Sequence, residues 1–148
     1  MKQPNAPATP QYRPAPLFKR LAAIFYDSLI VLALWMAVGA IGVLLNGGEA
    51  ASGALMNSAL FLVTFLFFML FWTRSGQTLG MMAWKIRIQT EQGQAISGMQ
   101  ALLRFFCAAL SAACLGAGYW WMLFNKDKLT WHDRYSDSRV VELPTPKR

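Results

Sequence analysis

Arg20, Asp27, Arg104 and Asp133 are the four residues of this sequence best suited to chemistry. Asp27 closes the run RLAAIFYD, seven residues beyond Arg20. On a helix that spacing is about 10 Å along the axis and close to two turns, so the two side chains share a face. An acid inside a bilayer costs about 2.5–3.5 kcal/mol to insert and needs the bundle interior or water around it, and a partner. Two roles fit Asp27. It binds a proton or a cation, or it belongs to a structural ion pair with Arg20, or with Arg104 at the mouth of a later apolar run.

The other charged constellation is WHDRYSDSR, residues 131–139. His132 is the only histidine, and a metal site needs several ligands at set spacing, so no metal is expected. One reading of the stretch is a solvated interfacial segment. The sharper one pairs Asp133 with a basic residue from the stretch after the second apolar run (Arg74, Lys85, Arg87 or Arg104) and so locks the C-terminal segment to the helices. Cys107 and Cys114 lie seven apart. In one helix that is about 10 Å, too far for a disulfide, so they read as inert buried thiols. No nucleophile, base and oxyanion donors assemble in the sequence, so neither an enzyme nor a cofactor is expected.

The elements that must position these residues are apolar. Of 148 residues, 55% are hydrophobic and 14% charged, against roughly 25% charged in an average soluble domain. That composition excludes a disordered chain. Two cysteines exclude a disulfide scaffold. The net charge of +7 is split between long uncharged runs rather than gathered on one stripe, which argues against a nucleic-acid module. Residues 28–48, 50–73 and 105–125 carry no charge. A spanning helix needs about 20 apolar residues, so the chain reads as a small multi-pass membrane protein with helices over about 20–45, 52–73 and 101–124. Residues 1–16 hold five of the seven prolines and read as a disordered tail, and 143–148 as a short C-terminal tail. No cleavable signal peptide is evident, because the first apolar run is longer than such a segment allows.

Lys and Arg placement orients the chain. Lys2, Arg13, Lys19 and Arg20 precede the first run, residues 46–53 have none, and Arg74, Lys85, Arg87 and Arg104 follow the second run. The N-terminus is therefore expected in the cytoplasm. A third full span would put the basic tail (Lys126, Lys128, Arg134, Arg139, Lys147, Arg148) outside. The third region is therefore read as re-entrant or as a short helical hairpin turning at Gly116-Ala117-Gly118, which keeps the C-terminus cytoplasmic. A third span remains the alternative. Non-helical backbone at depth has to be buried in protein or face water, so this region must pack on the first two helices or on a second subunit.

Between the second and third runs, residues 84–90 alternate polar and apolar, as a strand does. A turn over 91–94 and a return through 95–97 would make a small cytoplasmic β-hairpin, with 139–143 as a possible third strand. Gly76 and Gly80 fit GxxxG, yet they follow Arg74 at the membrane surface, where a helix end or turn fits better than a dimer seam. Trp72, Trp84, Trp120, Trp121 and Trp131 fit interfacial anchoring.

Taken together, these residues resemble the RDD family of bacterial membrane proteins, named for one Arg and two Asp. The pattern has an Arg opening the first membrane helix and an Asp within it, here Arg20 and Asp27. A "GQTLGK…R-V" stretch follows the second helix, here Gly76, Gln77, Thr78, Leu79 and Gly80, running on to Lys85 and Arg87. Arg104 matches a following Arg. The "HDR…T-V-V" end is matched by His132, Asp133, Arg134, Val140 and Val141, with Ser138 where Thr is usual. The resemblance spans residues 17–142. It implies a bacterial inner-membrane protein, with Arg20, Asp27 and Asp133 as family residues and with transport, including sodium–proton exchange, as the suspected activity.

Two functions follow as expectations. The chain is a small transporter or exchange component working through Asp27, which needs a homo-oligomer or a membrane partner because so few helices enclose no pathway. Alternatively it is a membrane-embedded accessory or scaffold protein whose Arg/Asp network is structural. In either case the lipid bilayer is a partner and nucleic acid is not.

Overall fold

The computed structural model describes residues 12–144. The element order is α1 (Leu17–Leu45), α2 (Ala54–Arg74), α3 (Leu79–Ala83), β1 (Ile86–Thr90), α4 (Gly98–Ala113), α5 (Ala117–Phe124), α6 (Trp131–Tyr135) and β2 (Ser138–Glu142). The chain is mostly helical, with one small antiparallel sheet.

Two helices are long and apolar enough to cross a membrane. The most apolar stretches of α1 and α2 have mean hydropathy 2.5 and 2.2. At 1.5 Å per residue α1 is about 44 Å long and α2 about 32 Å. They run antiparallel: Trp35 Nε1 donates to Thr64 Oγ1 at 2.8 Å, and Gly42 lies against Met56. Gly47 and Gly48, at φ +68° and +96°, end α1, and Gly53, at φ +94°, precedes α2. Side chains with a Cβ resist those angles, so the glycines place the reversal there.

The third apolar region bends. α4 and α5 meet at 95° across a short break, where Leu115 and Gly116 have φ +56° and +77°. A straight third span does not form. α4 starts from a reciprocal cap in which Ser97 Oγ accepts from Gln100 N and Ser97 N donates to Gln100 Oε1. Phe105 packs against Phe61, Phe65 and Phe68 of α2.

The sheet differs from the expected hairpin. β1 pairs with β2, from Ile86 opposite Glu142 to Thr90 opposite Ser138. The turn forms where expected, with Gly93 N donating to Thr90 O and Thr90 N to Gln94 O. Residues 95–97 then make no return strand, because Ser97 is already committed to capping α4. The β-branched residues of β2 take the place instead. On the far side of β2, Pro14 bridges Val141, Ala15 N donates to Val140 O at 3.0 Å, and Glu142 N donates to Arg13 O at 2.9 Å. Residues 12–16 are thus packed rather than disordered, whereas 1–11 of the expected tail lie outside the described residues. Of the C-terminal tail 143–148, Leu143 N donates to Lys85 O, and 145–148 lie outside the description.

The core lies at the sheet. Ala15, Ile86, Ile88, Ala101, Val140 and Val141 are each at most 2% exposed, and Trp72, Met81 and Ile96 close around them. Trp72 is therefore buried rather than an interfacial anchor, and Trp84 is half-buried against Phe18 and Tyr26. Cys107 is half-buried and Cys114 is exposed, both as free thiols, so Cys114 is not the buried group expected. Because β1 follows α2 and pairs with β2, both ends of the third region are tied to the end of the molecule where α1 begins.

Candidate functional site

The sheet end of the molecule holds two buried polar clusters. In the first, Asp133 is gripped from two sides. Arg20 Nη1 donates to its Oδ2, and Arg104 Nη1 donates to its Oδ1 at 2.6 Å. Thr130 N also donates to Oδ2 at 3.2 Å, while Asp133 N donates to Thr130 Oγ1. This reciprocal cap fixes the carboxylate on the first turn of α6. Arg20 extends further, with Nε to Ala15 O at 3.1 Å and Nη2 to Val140 O at 3.3 Å. Arg104 reaches Ser138 Oγ at 3.0 Å, and its guanidinium carbon lies 5.6 Å from the Trp72 ring centre. Arg20, Arg104 and Asp133 are all at most 4% exposed. The arrangement ties α1, α4, α6 and β2 together through one carboxylate.

Electrostatics follow from that geometry. Burial pushes the Asp133 carboxyl up, but the Arg104 and Arg20 charges outweigh it and hold the group well below the usual carboxylate range. His132, 2% exposed, lies with its ring centre 4.7 Å from that of Tyr119. Burial, reinforced by Arg104, lowers it to about 3 against the opposing charge of Asp133. The imidazole is therefore neutral. Its Nδ1 and the Nε of Arg104 are buried without a hydrogen-bond partner among the described residues.

The second cluster surrounds Asp27, which is 2% exposed. Thr78 Oγ1 donates to its Oδ2, and Gly80 N donates to its Oδ1 at 2.8 Å. Thr78 Oγ1 in turn accepts from Met81 N at 3.2 Å. Asp27 and Thr78 together satisfy the first amides of α3, which otherwise lack partners. The approach is close because position 80 has no side chain. A Cβ there would lie 2.2 Å from Ala23 O and 2.9 Å from Asp27 Oδ1. Next to it, Gln77 Nε2 donates to Ile86 O at 2.8 Å. Gly76, at φ +69°, runs so close to β1 that a Cβ there would lie 2.5 Å from Ile88 O. The GQTLG stretch is thus a turn that fastens α2 to α1 and to β1, not a helix seam.

The structure sorts the expected residues into these two groups. Arg20, Arg104 and Asp133 come together, as the locking role for Asp133 requires. Asp27 joins neither arginine: its described hydrogen bonds are to Thr78 and Gly80. Ion pairing with Arg20 gives way because that guanidinium is already spent on Asp133 and two carbonyls. His132 is buried beside Asp133, and Arg134 is exposed on the other side of α6. Among the described residues no three His, Cys, Asp or Glu side chains gather as a metal site. Two contributors were missed. Thr130 was legible as the T-x-x-D cap of residues 130–133. Trp72 under Arg104 had no sequence signal, since it joins residues from separate helices.

Against known proteins, the model of the RDD family matches residues 14–137. No curated protein and no solved structure matches.

Proposed function

The chain belongs to the RDD family, and from that premise we propose that it is a membrane-embedded accessory or scaffold protein whose Arg/Asp network is structural. The observation that carries this is the full engagement of both acids. Each carboxylate oxygen of Asp27 and Asp133 accepts a hydrogen bond from the protein itself. The buried charges hold the sheet and α6 against the starts of α1 and α4. The role is non-enzymatic and needs no cofactor. Membership of the RDD family supports a bacterial inner-membrane protein, and the Lys and Arg distribution supports both termini in the cytoplasm with the third region re-entrant. The exposed apolar surface of α1 and α2 supports a lipid bilayer around it and either a second copy or a membrane protein as partner.

Transport is the second reading. It is favoured by one fact: Asp27 is an acid within a membrane-length helix, and its described partners are a hydroxyl and an amide rather than a cation. Proteoliposomes under Na⁺, K⁺ and Li⁺ gradients separate the two. Asp27→Asn keeps the shape and can still accept from Gly80 N. The scaffold reading expects no ion-driven proton movement in wild type or variant, both stably inserted. It also expects Arg104→Met and Asp133→Asn to be strongly coupled in folding stability, the double variant losing less than the sum of the two single losses. Flux in the wild type that disappears in a folded Asp27→Asn variant would overturn it in favour of exchange.

A further inference from the structure

We propose that α5 and the turn after it form a seat for an anionic phospholipid, with acyl chains against the helix and the headgroup on Lys126 and Lys128. It rests on the returning path of the third region. The apolar side of α5 is open: Trp120, Trp121, Leu123 and Phe124 are 59%, 48%, 57% and 86% exposed, while Gly118 and Met122 pack inward. Gly118 is seated against Ser111, whose Oγ accepts from Gly118 N at 3.0 Å. Protein therefore covers one side of α5 and leaves the other bare.

The depth of this surface follows from its neighbours. Leu115, 90% exposed, marks the bend between α4 and α5. At the other end, Asp127 lines a cavity of about 290 Å³ together with Arg20, Glu91 and Arg139. The segment therefore rises from the bend to the level where α1 begins and the sheet lies. Two indoles sit just short of that level, the position where amphipathic rings meet headgroups. Lys126 and Lys128 follow, both exposed and without an ion-pair partner among the described residues. Asp127 lies between them, exposed at the edge of the cavity that Arg20 and Arg139 also line, and the turn keeps a net charge of +1 with neither ammonium group in an ion pair among the described residues. Apolar rings below two free ammonium groups match an acyl chain below a phosphate. A second copy of the chain would meet the same two positive charges and repel them.

The test uses the full chain in nanodiscs of phosphatidylcholine with and without phosphatidylglycerol. Retention of phosphatidylglycerol is read by native mass spectrometry for wild type and for Lys126→Gln with Lys128→Gln. At about 1 kcal/mol per surface lysine, the double variant is expected to retain it about thirtyfold more weakly. Equal retention overturns the seat. A spin label on Phe124→Cys, in a Cys107→Ser and Cys114→Ser background, reads depth. A label at the headgroup boundary on the face carrying the N-terminus is expected. A label on the opposite face overturns the returning path itself. A label shielded from both lipid and water shows that a second copy occupies the surface, which also overturns the proposal.

Discussion

The two ends of this molecule are held by different forces. At the sheet end, Arg20, Asp27, Thr78, Arg104, Thr130, His132 and Asp133 are all buried, most of them hydrogen-bonded to one another or to the backbone. At the far end, α1 has no buried residue beyond Asp27, and α2 has none before Phe67. The far hairpin touches itself through a few pairs such as Trp35 with Thr64 and Gly42 with Met56. In water this would be unstable, because large apolar surfaces stay exposed. In lipid the same surfaces cost nothing, and helix pairing needs only packing and an occasional hydrogen bond. Polar geometry thus specifies the sheet end, and the solvent specifies the hairpin. Substitutions should therefore be felt at the first end and absorbed at the second.

The largest break is Asp133→Asn. It leaves two buried guanidinium groups without their shared carboxylate. Removing one member of a buried ion pair costs about 3–5 kcal/mol, so denaturant unfolding in micelles should show a loss of that size. A variant within about 0.5 kcal/mol of wild type, the range of ordinary surface changes, would remove the basis for the contrast.

Acid should act in the same place. His132 is lowered from 6.5 to about 3 in the fold, so the unfolded chain binds a proton that the folded chain excludes. Its contribution is whole above pH 6.5 and is lost as pH falls from there toward 3. Asp133 is depressed as well, so its contribution holds above the ordinary carboxylate range and fades only in stronger acid. Stability should fall by on the order of a few kcal/mol between neutral pH and about pH 4. His132→Gln should flatten that slope. Hydrogen exchange should show the loss in β1, β2 and α6, with the far hairpin unchanged.

A matched pair of glycines gives the smallest and sharpest comparison. Gly80→Ala forces a Cβ onto the Ala23 carbonyl, and backbone cannot step aside. An overpacked site of this kind costs about 1–3 kcal/mol. Gly42→Ala meets the end of the flexible Met56 side chain, at 2.3 Å, which a new rotamer relieves, and the Ala51 methyl at 3.1 Å, which needs to give by only a few tenths of an ångström. Its effect should stay within about 0.5 kcal/mol. Equal losses in thermal unfolding for the two variants would refute the idea that the ends differ in kind.

The legibility of the sequence divides along the same line. The far hairpin was readable because length and hydropathy alone make a bilayer helix: the expected 20–45 and 52–73 form as Leu17–Leu45 and Ala54–Arg74. The bend in the third region was readable from its glycines and from the basic residues beyond it. The strand at β1 was readable from its alternation, but its partner was not. Period-two patterning says that a strand exists and which sides it has, while pairing is settled by whatever edge is nearby in space.

The clusters show this limit most clearly. The spacing of Arg20 and Asp27 correctly put both on the buried side of α1, yet a shared side is not a shared bond. The guanidinium went to a carboxylate more than a hundred residues away. Asp27 went to a hydroxyl and an amide after α2. What the sequence by itself determined was the membrane class, the family, the helices, the bend and the set of charged residues that had to be buried. What only the tertiary structure decided was which of those residues meet. The reason is physical: hydropathy and helical periodicity are local sums along the chain, whereas an ion pair depends on a few ångströms between segments that only the folded packing brings together.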